Sequence, residues 1–217
     1  MTDQHFRRYF IAIAGNIGAG KTTLAQRLAS QLGWKCYLEP VIDNPYLPDF
    51  YADMSRWSFH LQVYFLSKRF QNQIDIESDA CSCVQDRTIY EDARIFAHTL
   101  RKRGFMSDRD WDNYQALFAA MAEQLKRPDL VIYLKSDVNS LARRIQQRGR
   151  AFEKSIDVEY LADLNHAYDS WCTGHLDKLM VGTIDTSTGA NEEEVFEESL
   201  KLLKLKLQIE LPFKNVK

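Results

Sequence analysis

The stretch AGNIGAGKTT, residues 14–23, matches the pattern G-x-x-x-x-G-K-[ST] between Gly15 and Thr22. It follows a short apolar run, YFIAIAG, and leads into KTTLAQRLASQLG, where apolar residues recur at helical spacing up to Gly33. In a strand, loop and helix of this kind, backbone N–H groups surround phosphates, the lysine reaches the terminal ones, and the threonine hydroxyl binds Mg²⁺. A tight glycine turn that binds nothing is the alternative, and the strand, lysine and threonine together argue against it.

The pattern therefore predicts a site for a nucleoside triphosphate, with ATP as the expected ligand. The residues assigned to this site are Gly15, Asn16, Ile17, Gly18, Ala19, Gly20, Lys21, Thr22 and Thr23. Such a loop occurs in GTPase switches, motors, nucleotide kinases and small-molecule kinases. The group that receives the phosphate must be sought elsewhere in the chain.

Strand and helix patterns alternate along the rest of the sequence. The predicted further strands are KCYLE, CSCVQD, DLVIYLK and LMVGTID, and the predicted further helices span about 57–76, 89–104, 107–126, 137–149, 158–176 and 192–207. The prolines of PVIDNPYLPDFY predict no regular element before about Asp49. This alternation specifies an α/β fold, a parallel sheet with helices on both faces, which binds ligands beyond the carboxyl ends of its strands.

Composition narrows the class of protein. A length of 217 residues with 45% hydrophobic content suits one domain over residues 1–217, and a net charge of −2 offers no general attraction for nucleic acid or anionic membrane. The start MTDQHFRRYF runs directly into a strand, and no apolar run reaches membrane-spanning length. We therefore expect a cytoplasmic protein with no nucleic-acid or membrane partner. The spacing of Cys81 and Cys83 does not fit zinc, so the four cysteines are expected to be reduced thiols.

The phosphate acceptor is indicated by residues that follow the loop. The guanine motif N-K-x-D and the switch motif D-x-x-G are absent from the sequence, which argues against a GTPase. Glu39 follows the second strand, at a strand end that faces the phosphate loop. A carboxylate there can take a proton from an attacking hydroxyl, and an exposed carboxylate with no such role is an equal alternative.

One face of the predicted helix over 57–76 is unusual. Gln62, Phe65 or Leu66, and Arg69 fall on a single stripe, because seven residues make almost two helical turns. An amide, an aromatic ring and a guanidinium among apolar neighbours suit a flat heterocycle with hydrogen-bonding edges. For any one of these residues, a solvated polar position is the commoner case, and the combination favours a binding face.

A series of motifs resembles one known family across nearly the whole chain. In order, they are GNIGAGKTT, the EP of residues 39–40, FY…RWSF…Q, DRTIYED, PDLVIYL, RRIQQRGR and EYL. The chain in these motifs resembles the deoxynucleoside kinases, within the branch of deoxycytidine, deoxyguanosine and bacterial deoxyadenosine kinases. The resemblance implies a P-loop kinase fold with a five-stranded parallel sheet and an arginine-rich lid at about 144–154. It also implies phosphate transfer from ATP, with Mg²⁺, to a deoxynucleoside, and a homodimer.

The resemblance also implies roles for residues near the reacting groups. Glu39 corresponds to the base that takes a proton from the 5′-hydroxyl, and Arg87 to the residue that steadies this hydroxyl and the transferring phosphate. Asp86 stands where animal members carry glutamate, and with Thr22 it is assigned to Mg²⁺. The residues implied in catalysis are Glu39, Arg87, Lys21, Arg144 and Arg148.

The segment RRIQQRGR has a physical interpretation of its own. Its arginines lie beyond the fourth strand, where planar guanidinium groups suit the oxygens of a triphosphate. A solvated basic helix end is the alternative. In the family this segment is the lid, so Arg144, Arg148 and Arg150 are assigned to the phosphate donor. The loop DTSTGAN, residues 185–191, corresponds to the segment near the adenine of ATP.

The acceptor pocket is assigned by the same resemblance. Tyr51 and Glu153 correspond to the pair at the sugar 3′-hydroxyl, Gln62 to the residue at the base edge, and Phe96 to the ring stacked on the base. Asn44 stands where animal members often carry tryptophan. With the groups at the reacting end, the substrate-binding set is Glu39, Tyr51, Gln62, Arg69, Arg87, Asp92, Phe96 and Glu153.

Arg69 and Asp92 are expected to pair and to decide which base is accepted. Members that favour thymidine tend to have apolar or small residues at these two positions. An aspartate accepts a hydrogen bond from an exocyclic amino group, whereas thymine offers a carbonyl there. The resemblance of DRTIYED and NPYL to bacterial purine-type members places deoxyadenosine first, deoxyguanosine or deoxycytidine second, and thymidine last.

Two other functions remain open from the sequence. A nucleoside monophosphate kinase, such as thymidylate kinase, shares the phosphate loop and lid but needs further arginines for the acceptor's own phosphate. A nucleotide-sensing P-loop protein would bind ATP without consuming it. Activity toward nucleosides and their monophosphates separates all three.

Overall fold

The computed structural model describes residues 7–39, 44–153, 156–174, 178–187 and 190–209. In this part of the chain, five strands form one parallel sheet in the order β2-β3-β1-β4-β5. Their bounds are β1 (Phe10–Gly15), β2 (Lys35–Tyr37), β3 (Cys83–Asp86), β4 (Leu130–Lys135) and β5 (Val181–Asp185). The predicted α/β fold with a five-stranded parallel sheet is confirmed.

Helices connect consecutive strands and cover both faces of the sheet. They are α1 (Lys21–Leu32), α2 (Leu47–Ala52), α3 (Met54–Ser78), α4 (Ile89–Glu91), α5 (His98–Lys102), α6 (Asp108–Ala122), α7 (Val138–Arg148), α8 (Val158–Thr173) and α9 (Glu192–Leu207). A π-helical segment, Asp92–Ala97, joins α4 to α5, and a 3₁₀ turn, Ala151–Glu153, follows α7.

The prediction was wrong about where the helical region after β2 begins. Helix α2 already starts at Leu47, because Pro48 lies in its first turn, where the missing N–H group has no partner to lose. Helix α3 starts at Met54, where the Asp53 side chain accepts a hydrogen bond from the backbone N–H of Arg56 at 3.0 Å. The predicted end of α8 near residue 176 lies outside the described residues, and the helix ends at Thr173.

The strands are apolar on both sides, as a sheet with two covered faces requires. Ile11 and Ile13 pack into the cluster that includes residues of α1 and α9. Ala12 and Ala14, on the opposite face of β1, pack into the cluster that includes residues of α3, α6 and α8. The small side chains on that face let the helices that bear the candidate site lie close to the sheet.

The position of β1 decides where the site forms. It lies at the centre, paired with β3 on one side and β4 on the other, in registers that place Ile13 opposite Asp86 and Gly15 opposite Leu134. At the carboxyl end of β1, the connections to the strands on its two sides run in opposite directions. Parallel sheets bind ligands at such a point. The glycine loop follows β1 directly.

Two observations in the described part of the chain bear on the expectations drawn from composition. All four cysteines are free, with Cys83 buried in β3 and Cys81 exposed. No described helix is both long and apolar enough to cross a membrane.

The beginning of β1 depends on a carboxylate next to β4. The Asp129 side chain accepts a hydrogen bond from the backbone N–H of Phe10 at 2.8 Å, and the Asp129 N–H donates to the Phe10 carbonyl at 2.8 Å. We expect Asp129→Ala to lower the free energy of unfolding by about 1.5–3 kcal/mol, the usual value of a hydrogen bond to a charged group. The measurement is chemical denaturation, with Asp112→Ala, on the exposed face of α6, as control. Equal effects of the two changes would contradict this account of β1.

Candidate active site

The glycine loop forms a phosphate-sized concavity between β1 and α1. Gly18 and Gly20 have φ angles of 82° and 90°, in the left-handed region that favours glycine. A Cβ atom at Gly18 would lie 3.0 Å from the Leu141 carbonyl oxygen, whereas one at Gly20 would have no neighbour within 4 Å. The loop thus packs against α7 at Gly18 and keeps open space at Gly20, beside the N-terminus of α1.

Lys21 is a buried cation in this loop. Its side-chain nitrogen donates a hydrogen bond to the Asn16 carbonyl oxygen at 2.9 Å, and the residue is 6% exposed. Burial and the nearby charge of Arg87 lower the pKa of Lys21 to about 8, although Asp86, Glu39 and Glu91 oppose the change. A bound polyanion would supply negative charge that stabilises the protonated form of Lys21.

Thr22 and Asp86 form the oxygen pair that fits Mg²⁺. The Thr22 hydroxyl donates to Asp86 Oδ2 at 2.5 Å, and Asp86 is fully buried at the end of β3. Asp86 Oδ1 has no hydrogen-bond partner among the described residues. Carboxylate and hydroxyl oxygens are ligands that Mg²⁺ prefers, so an unpartnered carboxylate oxygen beside a threonine hydroxyl fits this ion.

Glu39 lies between two guanidinium groups. Arg69 Nη2 donates to Glu39 Oε1 at 2.7 Å, and Arg87 Nε lies 3.1 Å from the same oxygen. The Arg87 N–H is not directed at that oxygen and makes no hydrogen bond in the described structure. Burial raises the pKa of Glu39, but the charges of Arg87, Arg69 and Lys21 outweigh burial and bring this pKa down to about 2. Glu39 is therefore ionised at neutral pH.

Arg87 has a strained backbone and a closely held side chain. Its φ angle is 68°, in the left-handed region that a residue with a Cβ rarely adopts. The guanidinium carbon lies 4.2 Å from the centre of the Phe96 ring, and Nη1 donates to the Tyr168 hydroxyl at 2.8 Å. β3 ends at Asp86, and the turn that follows it brings the Arg87 guanidinium group close to Glu39.

A cavity of about 550 Å³ connects the glycine loop with the helices beyond it. The predicted site residues that line it are Ile17, Gly18, Gly20, Lys21, Thr22, Thr23, Glu39, Tyr51, Gln62, Arg87, Asp92, Phe96, Arg144, Arg148, Arg150 and Glu153. Gly15, Asn16, Ala19, Arg69 and Asp86 do not line it and lie buried behind its wall. Arg69 contacts the lining residues Glu39 and Asp92, and Asp86 contacts the lining residue Thr22.

The wall far from the glycine loop combines apolar and polar groups. Gln62 is 2% exposed and its Oε1 has no hydrogen-bond partner among the described residues. Arg69 Nε donates to Asp92 Oδ2 at 2.8 Å, which is the predicted pairing. Leu47, Phe50 and other apolar side chains complete this wall. It is suited to an uncharged, flat ligand with hydrogen-bonding edges.

No pattern in the sequence indicated the π-helical segment that carries two residues of this wall. Asp92 and Phe96 both belong to Asp92–Ala97, where the backbone hydrogen bonds run from residue i to i+5. Such widened turns are frequent at functional sites, because they change the direction of side chains relative to an α-helix. Here both residues are directed into the cavity.

The arginine-rich segment is held together by one carboxylate. Glu153 Oε2 accepts from Arg148 Nη2 at 2.6 Å, and Glu153 Oε1 accepts from Arg150 Nη1 at 3.2 Å. The neighbouring Phe152 ring stacks on Tyr51, with centroids 6.1 Å apart. Arg144 instead donates to oxygens of Ser136 and Thr186 at the ends of β4 and β5.

The predicted boundary of this segment at residue 154 lies outside the described residues, as do Pro40 and part of the loop 185–191. The structure places Asn44 in the described part, buried at 6% exposure, but not in the cavity wall. The departure from tryptophan at this position therefore does not alter the described wall directly.

Sequence reasoning missed two buried residues behind the reacting end. Glu91 Oε1 accepts hydrogen bonds from the Tyr168 hydroxyl at 2.8 Å and from the Gly15 N–H at 3.3 Å. A signal for Glu91 was present, because Thr88 and Glu91 have the spacing of a capping box, and they form one. Tyr168 carries no such signal, since its partner is 77 residues away in the chain.

Comparison with known proteins finds relatives over most of the chain. A family model described as "Deoxynucleoside kinase" matches residues 11–205. The chain belongs to the deoxynucleoside kinase family. It is 43% identical over 177 residues to the deoxyadenosine/deoxycytidine kinase of Bacillus subtilis (strain 168), which covers 80% of this chain and 82% of that protein.

Two further relatives show the range of this family. The chain is 36% identical over 160 residues to the deoxyguanosine kinase of Bacillus subtilis (strain 168), covering 74% of this chain and 76% of that one. A solved structure of deoxyadenosine kinase from M. mycoides with bound dATP has a TM-score of 0.81 and 28% identity, covering 90% of this chain and 99% of that chain. The relatives thus share the deoxynucleoside kinase name and differ in the base that their names give.

The charge cluster around Glu39 makes stability depend on pH. The pKa of Glu39 falls from 4.5 to about 2 on folding, so its contribution is complete above pH 4.5 and is lost as the pH falls toward 2. We expect Glu39→Gln to lower the free energy of unfolding at pH 7 by up to about 3 kcal/mol. The difference from wild type should be about 1 kcal/mol smaller at pH 4, measured by chemical denaturation.

Glu197→Gln, on the exposed side of α9, is the control for this measurement. A Glu39→Gln effect that is the same at both pH values, or no larger than that of the control, would contradict the description of Glu39 as a carboxylate stabilised by buried cations.

Proposed function

We propose that this deoxynucleoside kinase transfers the γ-phosphate of ATP to the 5′-hydroxyl of deoxyadenosine, with deoxyguanosine or deoxycytidine as poorer acceptors. One observation carries the proposal. A single cavity has the glycine loop and Lys21 at one end, the Glu39–Arg87 pair in the middle, and the Gln62–Asp92 wall at the other end. A triphosphate and a nucleoside fit these ends with the hydroxyl and the phosphate meeting at Glu39.

At the reacting end, the residues position and stabilise rather than form covalent bonds. Glu39 accepts a hydrogen bond from the 5′-hydroxyl and takes its proton. A pKa of about 2 in the free protein makes it a weak base, which suits a transition state in which the attacking oxygen keeps its proton until late. Arg87, whose Nε has no hydrogen-bond partner among the described residues, donates to the oxygens that gain charge.

On the donor side, the chain supplies cations from the glycine loop and from the lid. Lys21 binds the terminal phosphates from the loop. Arg148 and Arg150 exchange their contacts with Glu153 for phosphate oxygens when the lid at about 144–154 closes, and Arg144 approaches from the end of α7. Thr22 and Asp86 hold Mg²⁺, which neutralises charge on the phosphates when it is bound.

On the acceptor side, the sugar and the base contact different walls. Tyr51 and Glu153 bind the 3′-hydroxyl, and Phe96 stacks on the base. Asp92, held by Arg69 at 2.8 Å, accepts a hydrogen bond from the exocyclic amino group, and Gln62 pairs with the neighbouring edge. The names of the Bacillus subtilis and M. mycoides relatives, which include deoxyadenosine, support placing adenine first.

A nucleoside monophosphate acceptor is disfavoured by the charges near Glu39. Beyond this residue the cavity wall carries the carboxylates of Asp92 and Glu153, together with apolar side chains. Asp92 already pairs with Arg69, and Glu153 with Arg148 and Arg150, so the arginines near this wall are committed to carboxylates rather than arranged for an acceptor phosphate. We also propose a homodimer, which the family resemblance implies, and a cytoplasmic location, which the sequence led us to expect.

The deciding experiment is transfer of labelled phosphate from ATP to the four natural deoxynucleosides, their ribose counterparts, and the monophosphates of deoxyadenosine and thymidine. We expect deoxyadenosine to be the best acceptor and thymidine the poorest deoxynucleoside. Glu39→Gln should lower turnover by about 10²- to 10⁴-fold while ATP binding is retained, with Glu197→Gln unchanged. Faster use of thymidine or of a monophosphate, or ATP binding with no acceptor consumed, would contradict the proposal.

Protonation of Asp92 should change the preference between bases. Burial raises the pKa of Asp92 to about 6, against the opposing charges of Arg69 and Arg87, while Glu39 and Glu91 add to the rise. Ionised Asp92 accepts from the adenine amino group, whereas protonated Asp92 donates to the thymine carbonyl. The kcat/KM for deoxyadenosine should therefore fall about fourfold between about pH 7.5 and about pH 5.5, and its ratio to the kcat/KM for thymidine should fall by up to about 100-fold where thymidine uses only protonated Asp92.

The control for this ratio is the double variant Arg69→Met with Asp92→Ala. It removes Asp92 together with its partner Arg69, and Glu39, which also loses Arg69, keeps Arg87 at 3.1 Å as a cationic neighbour. We expect a ratio that no longer varies with pH and is shifted toward thymidine. A wild-type ratio that is constant across this pH range would show that Asp92 does not contact the base.

A further inference from the structure

Tyr168, on α8, lies between two charged groups behind the reacting end. Its oxygen accepts a hydrogen bond from Arg87 Nη1 at 2.8 Å, and its O–H donates to Glu91 Oε1 at 2.8 Å. The residue has no exposed surface. Burial raises the pKa of Tyr168 well above its ordinary value, and the adjacent Glu91 carboxylate adds to this. The hydroxyl therefore keeps the proton that it donates.

Glu91 extends this contact to the two loops that bear the reacting groups. Its Oε1 accepts from the Gly15 N–H at 3.3 Å, at the start of the glycine loop. Its Oε2 accepts from the Thr88 N–H at 2.8 Å, directly after Arg87. Arg87 Nη1 is 3.9 Å from Glu91 Oε1, beyond hydrogen-bond distance. The Tyr168 hydroxyl thus connects Arg87 Nη1 and Glu91 Oε1, which are too far apart to form a hydrogen bond with each other.

The direction of the Arg87 side chain depends on few contacts. Its backbone is in a strained left-handed conformation, Phe96 covers one face of the guanidinium group, and Nε makes no hydrogen bond in the described structure. Stacking on a ring leaves the group free to rotate within its plane. The hydrogen bond from Nη1 to Tyr168 restricts that rotation, and with it the position of Nε, which lies 3.1 Å from Glu39 Oε1.

We infer that Tyr168 is a positioning residue for phosphoryl transfer. Its hydroxyl orients the Arg87 guanidinium group toward the transferring phosphate and, through Glu91, keeps the start of the glycine loop in register with Arg87. The inference rests on the proposed function. Because both contacts lie behind the cavity wall, Tyr168 touches neither substrate. Its loss should affect the chemical step more than binding, since misplacing a group in the transition state lowers kcat.

The chain offers a matched control for loss of this hydroxyl. Tyr133, on β4, stacks on Tyr168 with centroids 5.4 Å apart and an interplanar angle of 9°. Its hydroxyl donates to Asp169 Oδ1 at 3.2 Å rather than to the Arg87 cluster. Tyr133→Phe and Tyr168→Phe therefore remove the same atom from two stacked rings, and only Tyr168→Phe leaves an Arg87 donor without its acceptor.

The test measures kcat and KM for deoxyadenosine and for ATP in both variants, beside thermal unfolding. For Tyr168→Phe we expect kcat to fall about ten- to 100-fold, from the usual strength of a hydrogen bond to a charged group, with each KM within about threefold of wild type. Tyr133→Phe should keep kcat within about twofold. A Tyr168→Phe enzyme that matches Tyr133→Phe in kcat, or loses activity only through KM, overturns the inference.

Glu91→Gln provides a second test, because it keeps the shape of the side chain and removes its charge. If Tyr168 acts through Glu91 and Arg87 as one unit, the double variant with Tyr168→Phe should lose little more kcat than the worse single variant. If the losses of kcat from the two single changes multiply in the double variant, Tyr168 and Glu91 act independently, and the inference that Tyr168 acts through Glu91 is overturned. A wild-type protein inactive toward every nucleoside contradicts the proposed function itself, whereas an active wild type with unaffected Tyr168→Phe contradicts only this inference.

Discussion

The buried ion pair between Arg69 and Glu39 is the interaction on which the rest of the site depends. Arg69 has no exposed surface, so its charge must be matched by groups in the interior. Glu39 and Asp92 supply the matching charge, at 2.7 and 2.8 Å. Without them the cost of burying a guanidinium group would be several kcal/mol. The same requirement fixes the positions of Glu39 and Asp92, two carboxylates that line the cavity.

The order of strands brings these groups together. The glycine loop follows β1, Glu39 follows β2, and Asp86 with Arg87 ends β3. Because β2, β3 and β1 are adjacent and parallel, their carboxyl ends meet at one edge of the sheet. Helix α3 then crosses this edge and places Arg69 among them. The long connection between β2 and β3 thus contributes to the pocket wall as well as linking two strands.

The sequence was sufficient wherever the determining interaction is local. The five strands, the glycine loop and the bounds of α9 depend on periodicity, glycines and caps within a few residues, and the predictions for them are confirmed. The start at Leu47 was missed because a proline in a first turn looks the same as a proline that breaks a helix. The π-helical turn has no known local pattern. The contact between Tyr168 and Glu91 joins residues 77 apart, which periodicity does not reveal.

Under the proposed function, Arg69 also connects two properties that are usually discussed separately, base selection and chemistry. Its Nε contacts Asp92, its Nη2 contacts Glu39, and its Nη1 donates to the Asp86 carbonyl at 3.1 Å. A planar guanidinium group holds its nitrogens in fixed directions. A shift of Asp92 that accommodates another base therefore rotates the donor that orients Glu39. In such a site a poorly matched base loses hydrogen bonds and also misaligns the acceptor hydroxyl, so discrimination is expressed in kcat as well as in KM.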